Sequence, residues 1–361
     1  MNDSGRRRRW WFDAAIVGLA ITLALAPIPS DAIERWFSLG IYPRIEHVLT
    51  PITNALPFAL LDVLVMAMLM GVARFGVVSV RGRGAEPLAT RIFHALVRLA
   101  TVVSALYIAF LLLWGFNYRR VSMAERLVVS RPAPSTDDVL MLGREAVTRM
   151  NALHATAHAQ GWQGEEWRDA PLAKAFAEVE GTLSDAPKAT PGRLKATLFG
   201  PYFRWTSVDG MVNPFGLEVL ANPDLLPFER PFVAAHEWSH LAGYADESEA
   251  NFVGWLTCLR ADPPAQYSGW LFLYWQIAGE VGEKGRAQLW DAVAPGPRQD
   301  VQAVVDRLRR GQLPMLRNAS WRVYDQYLKA NHVDEGVRSY SEVITLILRA
   351  QFGPGWTPVR R

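Results

Sequence analysis

His236 and His240 are the residues whose type and spacing point most directly to chemistry. They stand four positions apart, and Glu237 follows the first of them, which completes the pattern H-E-x-x-H. On a helix, residues four apart lie on one face, so the two imidazoles can bind one zinc ion per chain. Glu237 lies about 100° further round the helix, close enough to accept a proton from a water that the ion activates. The motif therefore predicts a zinc site in which Glu237 is the catalytic base.

A third protein ligand is expected soon after the motif, because a catalytic zinc usually has three protein ligands and one water. Gly243 is predicted to end the motif helix in a left-handed conformation. Asp246 is then a good N-cap for a second helix, and Glu249, three residues later, completes an acidic capping box. Glu247 is left free to reach the metal. Asn251, four residues further on, is predicted to orient Glu247 or one of the histidines through a hydrogen bond.

Glu249 and Asp246 remain as alternatives to Glu247 for the third ligand. Asp246 follows Gly243 by three residues, where the metzincin pattern H-E-x-x-H-x-x-G-x-x-H has its third histidine. The sequence contains no clear Met-turn that would support a metzincin. Glu247 is therefore the preferred ligand.

The elements around the motif have signals of their own. Pro231 marks the first turn of the motif helix, and the apolar residues after it give that helix a face to bury. Residues 198–213 are rich in aromatic and β-branched types and predict a short β-hairpin, with Asp209-Gly210 as its turn. Zinc peptidases commonly hold an extended substrate against such an edge strand. A hairpin that only covers the core is the alternative.

A second histidine pair, His154 and His158, is also spaced by four, but no glutamate follows His154. The pair falls on a helix predicted from Ser135 or Thr136 to about Ala159, in an alanine-rich polar segment. We interpret both as surface histidines without a metal role.

Three apolar stretches precede the zinc motif, at about 10–29, 57–80 and 94–116. Each is about 20 residues or longer, enough for the roughly 30 Å of a bilayer core. They predict three transmembrane helices in a membrane domain, 1–116, with the lipid bilayer as partner, followed by a soluble metallopeptidase-like domain, 117–361. A further apolar stretch, 268–279, is too short to cross and predicts a core or membrane-surface helix.

Basic residues set the predicted orientation. Four arginines precede the first span and more surround the link between the second and third, whereas 30–54 is poor in them. The N-terminus is then cytoplasmic and the C-terminal domain lies outside the cytoplasmic membrane, although Arg119, Arg120 and Arg126 argue mildly the other way. A signal peptide over 1–26 is the alternative for the first span, but Pro27 disfavours cleavage there.

Charge and cysteine content exclude other classes. The net charge of +3 is small, and the basic cluster precedes a hydrophobic helix, so no nucleic-acid partner is expected. Cys258 is the only cysteine, which excludes an intrachain disulfide and a cysteine-rich metal site.

The segment from His236 to Asn251 reads H-E-x-x-H, then Gly, then E-x-E-A-N, and it resembles membrane-anchored gluzincins. In those proteins, a Glu four residues before an Asp or Asn completes the zinc site. The whole layout resembles a bacterial membrane-protein family of unassigned function described as zinc metallopeptidases. The shared segments are Asn117-Tyr118-Arg119, His236 to Phe252, Tyr324 to Lys329 and Ser339-Tyr340.

That resemblance implies a mainly α fold, in which three transmembrane helices precede a mostly helical zincin-like domain with a small β-hairpin or sheet. By family position, it offers Tyr340 or Tyr324 as stabilisers of the oxyanion. The expected function is a membrane-anchored zinc-dependent peptidase that acts on a peptide or protein substrate. The alternative is a catalytically silent zinc-binding sensor or envelope scaffold, but the intact Glu237 favours the enzyme.

Overall fold

The computed structural model describes residues 3–81, 87–129, 133–162, 170–331 and 339–361, and the fold is 75% helical. Its N-terminal helical segments are α1 (Asp3–Leu25), α2 (Ser30–Ala32), a π-helical segment (Ile33–Ile41), α3 (Tyr42–Ala55), α4 (Leu60–Arg81) and α5 (Leu88–Leu113). The helices that follow are α6 (Met123–Arg126), α7 (Thr136–Gln160), α8 (Ala170–Leu183), α9 (Gly200–Thr206), α10 (Arg230–Leu241), α11 (Glu247–Arg260), α12 (Pro263–Glu280), α13 (Glu283–Ala292), α14 (Pro295–Gly311), α15 (Pro314–Ala330) and α16 (Ser339–Arg349). The predicted mainly α class is confirmed.

A small three-stranded sheet lies beside these helices. Its strands are β1 (Leu194–Lys195), β2 (Gly210–Asn213) and β3 (Glu218–Ala221), in the order β1-β3-β2. β1 pairs with β3 in parallel and β2 pairs with β3 antiparallel, with Gly210 opposite Ala221. β2 is therefore an edge strand of this sheet. Two further strands, β4 (Phe352–Gly353) and β5 (Thr357–Pro358), pair antiparallel near the C-terminus.

The hairpin predicted over 198–213 is wrong in position. Most of that segment is α9, whose first turn contains Pro201 and whose buried Phe203 and Thr206 lie three residues apart on one helix face. The hairpin is formed by β2 and β3, so Gly210 begins a strand rather than completing a turn. The aromatic residues were compatible with either structure, because a short apolar run does not distinguish helix from strand.

Two helix predictions are confirmed. Ser135 caps α7 in a capping box with Asp138, and the helix ends at Gln160. The apolar stretch 268–279 lies within α12, which buries Trp270 and Leu273 and packs along α7 as a core helix.

Within the described residues, Ala89–Leu113 is by itself long and apolar enough to cross a membrane, and little of it is buried within the protein. The pair Arg8–Leu25 and Ser30–Ala55 meets the same criteria together, but it bends by 110° at a break that contains Pro27 and Pro29. By length and composition, the described part of the chain thus holds one helix suited to cross a membrane, or two if the bent pair is one span. The stretch 57–80 forms α4, which does not meet these criteria over its described residues, so three spans are not established.

The segment 30–54, which lies between the first two predicted spans, is helical and packs on the C-terminal half of the chain. Thr50 Oγ1 donates to Leu217 O at 2.9 Å, and Asn54 Nδ2 donates to Pro191 O at 3.0 Å. Both side chains are buried. The segment is therefore part of the fold that carries the zinc motif.

Glu218 connects the sheet to the start of α4 and is fully buried. Its carboxylate accepts hydrogen bonds from the backbone N–H groups of Leu60 and Leu61 at 2.9 and 2.8 Å, and so satisfies donors in the first turn of α4. Lys195 Nζ lies 3.0 Å from Oε2, and Asn213 Nδ2 donates to Oε1 at 3.0 Å. The buried ion pair joins β1 to β3, and the hydrogen bonds of Glu218 join both strands to α4.

Candidate metal centre

α10 carries the H-E-x-x-H motif, and a tight turn sends the chain back along it as α11. Gly243 has φ of +83°, a conformation that glycine adopts without steric cost, as predicted. Asp246 caps α11 by accepting from the N–H groups of Ser248 and Glu249, also as predicted. The turn thereby places Glu247, in the first turn of α11, against the histidine face of α10.

The two histidines and Glu247 converge. Their ligand atoms all lie within 4.8 Å of one another. Glu247 Oε2 is 3.4 Å from His236 Nε2 and 3.6 Å from His240 Nε2, and the imidazole rings are nearly perpendicular. His240 and Glu247 are buried, whereas the side chain of His236 retains 12% exposure. The group can hold a metal ion.

The two alternative acids are engaged elsewhere. Asp246 is occupied by the cap. Glu249 accepts a hydrogen bond from the N–H of Met123 and lies 3.9 Å from Arg126. The expected second half of its capping box is therefore not formed, because a backbone donor and a cation from a distant segment take up its carboxylate.

Unsatisfied atoms support the fit to a metal. Glu247 Oε2 and His236 Nδ1 are buried and make no hydrogen bond to any described residue. A buried polar atom without a partner is costly, and a cation bound by Oε2 would remove that cost. His240 Nδ1 lies 2.7 Å from Tyr244 O, so a proton on Nδ1 leaves the Nε2 lone pair free to ligate. Two imidazoles and one carboxylate form a donor set that suits a divalent transition metal.

The electrostatics of the metal-free cluster also favour a cation. Burial raises the pKa of Glu247, but the neighbouring histidines outweigh burial and hold it well below its usual range. Burial lowers the pKa of His240, but Glu247 outweighs this effect and raises it to about 9. The cluster thus retains a proton that a metal would displace.

Glu237 lies beside the cluster without belonging to it. It is 3% exposed, its Oε2 has no hydrogen-bond partner among the described residues, and burial raises its pKa. The first residue of β2 packs directly on it, since a Cβ atom added at Gly210 would lie 2.4 Å from Glu237 Oε1. Sequence reasoning identified Glu237 but missed Gly210, for which the sequence gives only the signal of a glycine beside an acid.

Three further predicted residues have different outcomes. Tyr324, a candidate oxyanion stabiliser, donates its hydroxyl to Glu247 Oε1 and so leaves Oε2 for the metal. The hydrogen bond predicted for Asn251 is not found among the described residues, where its Nδ2, His236 Nδ1 and Glu247 Oε2 are all buried without a partner. The side chain of Tyr340 lies outside the described residues, and its role stays a prediction.

We expect Tyr324→Phe to weaken metal binding by about 10- to 100-fold, the usual effect of removing a hydrogen bond to a ligand. The ring can keep its stacking on Tyr327, so the change removes only the hydroxyl. Competition with a chromophoric chelator measures the affinity. Tyr202→Phe is the matched control, because its hydroxyl contacts Ser320 and lies outside the cluster. Equal losses in the two variants would contradict a ligand-positioning role for Tyr324.

The C-terminal end of α10 is held by side chains from the N-terminal third of the chain. Trp114 Nε1 donates to His240 O at 3.0 Å, and Tyr42 Oη donates to Leu241 O at 2.7 Å. Tyr42 thus pairs a carbonyl beyond the reach of the helix's own hydrogen bonds, and Trp114 adds a second donor to His240 O, which also accepts from the N–H of Gly243. Trp114 directly follows α5, so the helix that can cross a membrane ends against a residue of the metal cluster.

The chain belongs to the family described as Protein of unknown function (DUF3810), whose sequence model matches residues 37–348. The match includes the metal cluster, both helices that form it and the segment 37–54 that packs on the sheet. No curated protein and no solved structure matches the chain.

Proposed function

We propose that the protein is a membrane-anchored zinc-dependent peptidase. The convergence of His236, His240 and Glu247 carries this proposal, because their ligand atoms are close, largely buried and incompletely satisfied. Glu237 distinguishes a catalytic from a structural site. A structural zinc does not require a buried carboxylate beside its ligands, whereas hydrolysis requires a base.

A zinc ion bound by the three ligands would polarise the scissile carbonyl and lower the pKa of a water. Glu237 is the group that accepts the proton of the attacking water and passes it to the leaving amine. Burial raises the pKa of its carboxyl, so proton acceptance and release are better matched near neutral pH than in an exposed carboxylate. Tyr324 fixes one oxygen of Glu247, and Tyr244 O accepts the imidazole proton of His240.

The position of the edge strand β2 favours a peptide as the substrate. It begins against Glu237, and an extended peptide can add to a sheet edge through backbone hydrogen bonds. Arg307 holds the residue before the strand, with Nη1 3.0 Å from Asp209 Oδ1, and its Nη2 lies 2.7 Å from Glu229 Oε1. A substrate backbone on β2 would therefore lie close to the base.

We expect Gly210→Ala to lower hydrolysis on the order of 10²-fold, because the new methyl group displaces the Glu237 carboxylate. Zinc content should not change, since the three atoms nearest the added methyl group all belong to Glu237 and none to a ligand. Elemental analysis and a peptide-cleavage assay measure the two quantities. Gly279→Ala is the control, because its added Cβ meets nothing within 4 Å. Wild-type activity in Gly210→Ala would contradict the predicted closeness of strand and base.

The proposed topology has three spans, a cytoplasmic N-terminus and the metal centre outside the cytoplasmic membrane. Contacts at the ends of these helices support their relative directions. Trp10 stacks on Phe93 near the start of α5, and Arg119 donates to Leu23 O beyond its end, so α1 runs parallel to α5. The first residue of α4 donates to Glu218, and Trp114, which follows the last residue of α5, donates to His240 O. The start of α4 and the end of α5 therefore lie on the side of the metal centre.

Contacts within the fold involve the three arginines that opposed this orientation: Arg120 and Arg126 form ion pairs, and Arg119 donates to the backbone oxygens of Leu23 and Ala24. Arg120 lies 2.8 Å and Arg126 lies 3.5 Å from Glu34, and the side chain of Arg120 is buried. Cations neutralised within the fold are weak orientation signals compared with the arginines before α1.

Purified full-length protein in detergent tests the proposal. Zinc content should fall by one equivalent per chain in Glu247→Ala, and chelator-sensitive hydrolysis of casein or membrane-protein substrates should fall with it. His47→Ala is the control, since His47 is half-exposed and outside the cluster. An unchanged zinc content in Glu247→Ala would overturn the metal site. Zinc without hydrolysis would favour the silent sensor or scaffold.

A further inference from the structure

His154 and His158 on α7 converge on Asp300 of α14, far from them in sequence. The ligand atoms of the three residues lie within 4.8 Å of one another. Asp300 Oδ2 is 3.4 Å from His154 Nε2 and 2.8 Å from His158 Nε2. The interpretation of the two histidines as surface residues without a metal role is therefore incomplete. The sequence around them does not reveal that the carboxylate of Asp300 lies beside them.

The position of Asp300 is fixed by its surroundings. The residue is 7% exposed, and Tyr267 donates its hydroxyl to Oδ2. The two imidazole centroids are 4.2 Å apart, and both rings contact Tyr267. A buried carboxylate held by a tyrosine, with two adjacent imidazoles, is a preorganised set of nitrogen and oxygen ligands.

The group also has a route for an ion. The side chains of His154 and His158 are 23% and 39% exposed, so they form an open side of the cluster above the buried carboxylate. Solvent can supply the fourth ligand of a four-coordinate ion. No glutamate equivalent to Glu237 follows His154, where Ala155 stands, so the arrangement lacks the base of a hydrolytic centre.

We propose that His154, His158 and Asp300 form a second binding site for a divalent transition metal of the zinc class, which holds α14 against α7. The site is separate from the proposed catalytic centre and does not depend on it. α14 also carries Arg307, which pairs with Asp209 and Glu229 beside β2. Binding would therefore stabilise a helix that supports the edge strand.

Zinc titration of the full-length protein with its first site removed tests this proposal. The Glu247→Ala chain, stripped by chelator and dialysed, should still bind one equivalent of zinc and should melt at a higher temperature with zinc than without. Adding His158→Ala should weaken that binding by more than about tenfold and abolish the shift in melting temperature. Adding His47→Ala instead should change neither quantity. Cobalt in place of zinc should give visible absorption bands that disappear with His158→Ala.

Asp300→Asn provides a second variant, because the amide oxygen can still accept from Tyr267 while the ligand charge is lost. It should weaken zinc binding and keep the helical circular-dichroism signal. Failure of the Glu247→Ala chain to bind zinc, or binding that survives both His158→Ala and Asp300→Asn, would overturn the proposal in favour of a hydrogen-bonded cluster only. Failure of the catalytic centre has a different signature, in which Glu247→Ala releases no zinc from the native chain.

Discussion

Glu237→Gln should lower hydrolysis by roughly 10² to 10⁴-fold and leave zinc content unchanged. The amide has nearly the same shape as the carboxylate, so it can remain under Gly210, but it cannot accept the proton. Glu237 is not one of the three converging ligands, and so its replacement should not release the ion. Parallel elemental analysis and cleavage assays on the same preparations measure both effects.

Glu283→Gln is the matched control for this experiment, because Glu283 is exposed at the start of α13. It should retain full activity. A Glu237→Gln protein that cleaves at the native rate would refute the assignment of the base. Zinc in both forms with cleavage in neither would identify the site as a silent sensor or scaffold.

Lys195→Met should lower the free energy of unfolding by about 3 to 5 kcal/mol. The methionine leaves the carboxylate of Glu218 without its cation in a fully buried position, between the sheet and the first turn of α4. Chemical or thermal unfolding in a fixed detergent, followed by circular dichroism, measures the loss.

The double variant Lys195→Met/Glu218→Gln gives the control for that loss. The amide introduced by Glu218→Gln is neutral and its oxygen can still accept from the backbone of Leu60 or Leu61, so much of the stability should return. A single variant as stable as the native chain, or a double variant no better than the single one, would show that the buried charge is not the cause.

The parts of the site that depend on neighbouring residues could be predicted from the sequence. The turn at Gly243 and the cap at Asp246 are determined within a few residues, and both are as predicted. The same local reasoning placed Glu247 opposite the histidines, where the structure brings it.

The parts that depend on distant segments could not be predicted. The amide nitrogen of Asn251 has no partner among the described residues, and Tyr324 supplies the hydrogen bond to Glu247 from a different helix. Glu249 was assigned to a local cap, but Met123 and Arg126 engage it. The aromatic segment before β2 satisfied two periodicities, and tertiary packing selected the helix. Asp300 is likewise distant in sequence from His154 and His158, and only the fold brings the three together.

The hydrogen bond from Trp114 to His240 O fixes the distance between the end of α5 and the catalytic atoms of the proposed enzyme. Because the indole directly follows α5 and binds the end of the motif helix, the proposed catalytic atoms would stay at a nearly constant height above the bilayer if α5 crosses it as proposed. A peptide bond of a membrane-anchored substrate at that height would meet them by diffusion in the plane of the membrane. A dissolved protein gains no such advantage. Substrate selectivity can then arise from the distance between the scissile bond and the membrane, without a pocket that binds particular side chains.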